Sequence, residues 1–182
     1  MRSFAFVALC AAGLAASTEA QVNAPPAWMQ HEMESLTRDG GRWITDNAAY
    51  RGPDEPHDAY GLEWSWGIGR KTVRGRLFGL QGGRDVGTFW EFRMVWHPGR
   101  REVLLYQFGG DGTLGVGPMI ALADGRTEAV QTFYAPDGTV ARVRHLTRTD
   151  GDTHETSSFD EDGSGWKPRR TYVWRRETEG GR

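Results

Sequence analysis

The chain has 182 residues, with 22 basic and 24 acidic side chains and a formal charge of −2. That length suits one domain with a substantial core, and the balanced charge argues against a nucleic-acid partner or an anionic membrane surface. The 25 glycines and the 8 Trp, 8 Phe and 5 Tyr suit strands joined by tight turns.

Residues 1–20 read as a secretory signal. Arg2 precedes an apolar run from Phe4 to Ala16, and Thr18-Glu19-Ala20 offers a small-x-small cleavage pattern. The run is shorter than a bilayer-spanning helix requires, so no transmembrane segment is expected once the signal is cleaved. Cys10, the only cysteine, lies inside the signal, and Leu9 before it argues against a lipoprotein site. The mature chain is therefore expected to be periplasmic or secreted and held together by packing, without disulfides.

Residues 21–58 read as a helix and a loop. PPAWMQHEMESLTR (25–38) can form a short amphipathic helix with Trp28, Met29, Met33 and Leu36 on its apolar face, and 46–59 reads as a loop. Between them lies Gly41-Arg42-Trp43.

From residue 59 to 177 the chain is punctuated by Asp-Gly pairs at 111–112, 124–125, 137–138, 150–151 and 162–163, spaced 13, 13, 13 and 12 residues apart. Pro98-Gly99 and Gly82-Gly83 extend the rhythm backward. Asp-Gly favours two-residue hairpin turns, and alternating apolar and polar residues fill the intervals. The expected architecture is all-β: one antiparallel up-and-down meander of about 9–10 strands, closed into a barrel so that its edges disappear, with a short N-terminal helix ahead and a tail at 178–182. Nine strands are expected near 60–67, 71–81, 86–97, 100–110, 113–123, 126–136, 139–149, 152–161 and 164–176.

Gly41-Arg42-Trp43 ahead of such a meander resembles the start of the calycin group, the lipocalins, fatty-acid-binding proteins and their bacterial relatives. The resemblance covers most of the mature chain in architecture and one tripeptide in sequence. It implies a barrel with Trp43 plugging one end.

If every turn has two residues, strand pairing fixes which face each side chain joins. One face then collects Tyr60, Leu62, Trp64 and Trp66, followed by Val73, Gly75 and Leu77, then Trp90, Phe92, Met94 and Trp96. It continues through Val103, Leu105 and Gln107, then Val116, Pro118 and Ile120, then Ala129, Gln131 and Phe133. Arg142, Arg144, Leu146, Glu155, Ser157, Phe159, Trp166, Arg170, Tyr172 and Trp174 complete it. The other face is charged, with Glu63 beside Arg76 and Arg74 beside Glu91, and it carries His145 and His154. The aromatic face is expected to point inward.

Its polar members need water, a partner or a ligand, because unpaired buried charges are costly. The expected binding residues are Trp64, Trp66, Trp90, Phe92, Phe133 and Tyr172 for an apolar body, with Gln107, Gln131, Arg142 and Arg144 for a polar end. The partner class is a small hydrophobic or amphipathic molecule, anionic if the arginines meet it. The same aromatics would serve equally well as a solid core, which would leave a filled barrel acting through its surface as an envelope interaction module. A third reading is an acid–base isomerase or cyclase using Glu155 with Arg144. No catalytic motif or phosphate-cradling glycine loop occurs, and no cofactor or metal site is implied. Haem ligation would need an inward histidine.

Overall fold

The computed structural model describes residues 24–178; the expected signal at 1–20 and most of the expected tail at 178–182 lie outside them. The elements are α1 (Ala27–Thr37), β1 (Arg42–Asp46), β2 (Ala59–Trp66), β3 (Val73–Gln81), β4 (Arg84–His97) and β5 (Glu102–Gly109). They continue with β6 (Leu114–Ala121), β7 (Thr127–Tyr134), β8 (Val140–Asp150), β9 (Thr153–Glu161) and β10 (Trp166–Arg176). The strands form one closed antiparallel barrel in meander order, with β1 between β10 and β2. Nine strands overlap the positions expected from the turn spacing. The tenth, β1, begins one residue after Gly41 and zips the sheet shut.

Closure is organised around Trp43. The indole is fully buried and its Nε1–H donates to the Leu36 carbonyl of α1 (3.1 Å). The Arg176 guanidinium lies 3.9 Å from the ring centroid. It donates to the carbonyls of Arg38 (2.7 Å) and Ser35 (3.0 Å) and to Asp152 (3.0 Å), so one side chain ties the last strand to the helix and to the β8–β9 turn. Gly41 makes the approach possible. Its φ is +67°, and a Cβ there would sit 2.1 Å from the Trp64 carbonyl oxygen. Met29, Met33 and Leu36 of α1 are buried in the same cluster as Trp43, Val73, Met94 and Val103, and Trp28 packs partly against it. The helix therefore stoppers one end of the barrel.

The turns differ from expectation, and the difference sorts the faces. At Asp111-Gly112 the Gly112 N–H reaches the Gly109 carbonyl (3.0 Å) and the Gly109 N–H donates to the Thr113 carbonyl (2.8 Å). The loop thus has three residues, a type I turn with glycine alone at positive φ (+92°). The Asp111 carboxylate accepts the Thr113 N–H (2.9 Å). Residues 122–126 and 135–139 repeat this geometry. Each extra loop residue moves the register by one and inverts the next strand.

Val103 consequently faces Met119 instead of Ile120, and β6 turns Val116, Pro118 and Ile120 outward. The second such loop restores β7, with Ala129, Gln131 and Phe133 inward. The third inverts β8: Val143 and His145 face in, and Arg142, Arg144 and Leu146 face out. The Gly151-Asp152 turn carries the inversion into β9, so His154 and Thr156 are inside while Glu155 and Phe159 are outside. Trp166 also points outward, beneath the Arg142 guanidinium. A bulge between Pro168 and Arg170 then returns Arg170, Tyr172 and Trp174 to the interior.

The outer charges pair much as expected. Arg76 faces Glu63 across β2–β3 and bonds it at 2.6 Å. Glu91 lies opposite Arg76 instead of Arg74, which donates to the Ser65 hydroxyl (3.0 Å). Gly75 leaves room for the Trp64 ring and lies opposite Phe92.

Arg176→Ala should strand carbonyls beneath the plug and lower the unfolding free energy by roughly 2–4 kcal/mol. Arg142→Ala, which removes an exposed ion pair with Glu161, should cost about 1 kcal/mol or less. Urea denaturation of the two variants measures both.

Candidate functional site

Above the plug the barrel is hollow. A cavity of about 710 Å³ runs toward the opposite end, where exposed Ala141, Asp160 and Arg169 line its mouth. That volume falls within the range of ordinary small-molecule sites.

The walls differ in chemistry. Strands β2–β5 supply Tyr60, Leu62, Trp64, Leu77, Trp90, Phe92 and Leu105. Trp64 stacks on Phe92 with centroids 5.4 Å apart, and Trp90 meets Phe133 edge-on at 5.8 Å. Phe89 joins this wall because the β3–β4 ladder slips between Leu77 and Phe78. Strands β8–β10 supply His145, Thr147, His154, Thr156, Ser158 and Tyr172. One side is aromatic and the other carries hydroxyls and imidazoles.

Six of the ten expected binding residues line the cavity: Trp64, Trp90, Phe92, Gln107, Phe133 and Tyr172. Gln131 lies fully buried behind Gln107, accepting from its amide (2.7 Å) and donating to the Leu105 carbonyl (3.1 Å). Trp66 belongs to the plug end, its ring covered by Arg70 at 4.2 Å. Arg142 and Arg144 are corrected to the outer face, where they pair with Glu161 (2.7 Å) and Glu128 (2.6 Å). Glu155 is outside as well, in a shallow polar hollow with Asp124, Arg126 and Arg148. The pair expected for acid–base chemistry is therefore absent from the interior.

The cavity residues missed in the sequence are chiefly His145, Thr147, His154 and Thr156. Their alternation was plain, but its phase depended on counting two or three residues in the Asp-Gly loops. Thr113, Arg126 and Thr139, the residues following those glycines, whose backbone N–H groups donate to the Asp carboxylates, were the available sign of the longer loop.

A strap formed by residues 47–58 is clasped to the mouth. Glu55 accepts from both terminal nitrogens of Arg170 and from the Tyr60 hydroxyl. Tyr172 donates to Asn47 (3.1 Å), whose amide donates to the His57 carbonyl (3.1 Å). The Tyr50 hydroxyl accepts the Thr171 N–H (3.0 Å). Burial alone would raise the Glu55 carboxyl, but the hydrogen bonds from Arg170 and Tyr60 outweigh it and hold Glu55 below the usual carboxylate range. The same contacts raise Arg170, so its charge is permanent and already matched.

Deeper in, burial pushes His145 and His154 down to about 4, assisted by the nearby charges of Arg169 and Arg176 respectively. Both imidazoles are neutral at pH 7. His154 Nδ1 bonds the Thr149 hydroxyl (2.8 Å), which reaches on to Glu32 of α1 (3.4 Å). Burial raises Glu32. Among the described residues no group of three or more His, Cys, Asp or Glu gathers as a metal site.

These shifts have opposite consequences for stability. A histidine whose folded pKa is depressed binds its proton more weakly than in the unfolded chain, so stability falls as pH drops from 6.5 toward 4. Glu32, being raised, contributes in the opposite direction. His154→Gln should flatten the decline between pH 6.5 and 4 by roughly 3 kcal/mol, the equivalent of the histidine shift. Chemical denaturation across that window reads the difference.

The chain matches no protein-family model and no curated protein.

Proposed function

We propose that the protein is an exported carrier, of calycin type, that holds one small, flat and largely apolar molecule inside its barrel. The observation that carries this reading is the cavity of about 710 Å³ with an aromatic wall facing a polar one. A filled barrel would have had its aromatics interdigitated to native packing density. Here they leave room for a drug-sized molecule. The apolar run behind Arg2 and the Thr18-Glu19-Ala20 pattern support export.

The placement of charge refines the ligand class. The arginines expected to grip an anion stand outside with carboxylate partners, and Arg170 is held by Glu55. A carboxylate buried deep in the cavity would lack a free cation and pay for its desolvation. The preferred pose puts the apolar body inside and any anionic group at the mouth, where solvent reaches it.

The dye 8-anilinonaphthalene-1-sulfonate, an aromatic body with one anionic end, tests the reading. One equivalent should bind with enhanced emission. Ala141→Trp, which fills the exposed mouth, should abolish binding while the melting temperature stays unchanged, and Arg142→Ala and Arg144→Ala should bind as the parent does. Absence of uptake, or uptake indifferent to Ala141→Trp, would refute an interior site.

A further inference from the structure

The interior leaves polar atoms unspent. His145 lines the cavity, and its Nε2 is buried with no hydrogen-bond partner. The Nε1–H of Trp64, in the facing wall, is likewise unpaired. A buried polar atom left without a partner costs about 1–3 kcal/mol, and such atoms in a native fold call for an explanation. His145 has Ala129 and Ser158 as its cross-strand neighbours, and its ring stands 6.3 Å from Phe133. A half-turn about χ2 exchanges the two edges of an imidazole, so the ring can present its free nitrogen to whatever fills the cavity.

We infer that His145 is the polar contact for the bound molecule, and that this molecule carries a hydroxyl group on a flat aromatic body, a phenol-class ligand. The inference rests on the carrier reading above. A neutral imidazole offers either N–H or a lone pair, depending on tautomer. A hydroxyl both donates and accepts, so it satisfies either form. A carbonyl satisfies one form only. A carboxylate satisfies one form and brings in a charge that no free cation in the wall matches, since Arg170 is engaged by Glu55 and Arg169 stands beside Asp160 at 3.5 Å. Across the cavity, the stacked Trp64–Phe92 pair offers a flat surface for the ring that bears the hydroxyl.

Isothermal titration calorimetry with 2-naphthol, 2-methoxynaphthalene and naphthalene tests this against the mature protein, His145→Phe and His145→Gln. The parent should bind 2-naphthol roughly fivefold or more tightly than the other two, the preference one net hydrogen bond gives. His145→Phe should bind all three within about twofold, and His145→Gln, which keeps a donor and an acceptor, should recover part of the preference. In the parent, the His145 imidazole nitrogen resonances should shift with 2-naphthol and stay in place with naphthalene, a readout that does not depend on any variant folding. Equal binding of the three compounds by the parent, or a hydroxyl preference that survives in His145→Phe, would overturn the assignment and leave the carrier reading standing. Binding of none of them would overturn the carrier reading itself.

Discussion

The contact on which the rest of the barrel depends is the stack of Arg176 on Trp43. A ten-stranded meander has two free edges until its first and last strands meet, and β1 is only five residues long. Backbone pairing over so short a strand is a weak fastening. The fastening is completed by side chains: Trp43 bonds to α1, and Arg176 covers Trp43 and reaches the carbonyls at the helix end. Closing the sheet and stoppering the barrel are therefore one event. With the stopper in place, the remaining interior becomes a pocket with a floor and a mouth at the opposite end.

That floor separates two kinds of interior. Below it, Met29, Met33, Leu36 and Met94 pack around Trp43 with almost no exposure, as a core should. Above it, the aromatic rings of the wall touch one another in pairs but leave the space opposite them open, lined by threonines and histidines. Charge follows the same division. The arginine–carboxylate pairs of β7–β9 lie outside, where solvent supports both members, and of the two arginines at the mouth Arg170 is neutralised by the strap and Arg169 stands beside Asp160. A molecule entering this pocket meets hydrogen-bonding groups without net charge, which favours discrimination by shape and by neutral polar groups.

The thirteen-residue rhythm made the meander legible, and its length and uniformly tight turns made closure the natural expectation. The helix, with Met29, Met33 and Leu36 on its buried side, was equally plain, because its apolar spacing admits one face only. Half of the pocket could be read because the ladder from β2 to β5 contains no loop of the ambiguous kind: Trp64, Trp90, Phe92 and Gln107 are where the alternation put them. The other half could not. Asp-Gly serves both a two-residue turn and a three-residue turn with glycine at its bulge, and the two differ by one residue of register. In β8 that single residue exchanges Arg144 for His145, which turns an expected anion clamp into a neutral wall. Short, polar β1 carried no alternation long enough to be recognised as a strand.

The carrier proposed above requires that the hollow over the plug be occupied. Native mass spectrometry of the mature chain, purified from its own host without detergent, tests it most directly. The expected result is one discrete added mass of small-molecule size, present at one copy per chain and lost on denaturation. A bare chain from the host that also stays bare after incubation with aromatic alcohols and fatty acids would contradict it, and would make the cavity an incidental void in a structural barrel.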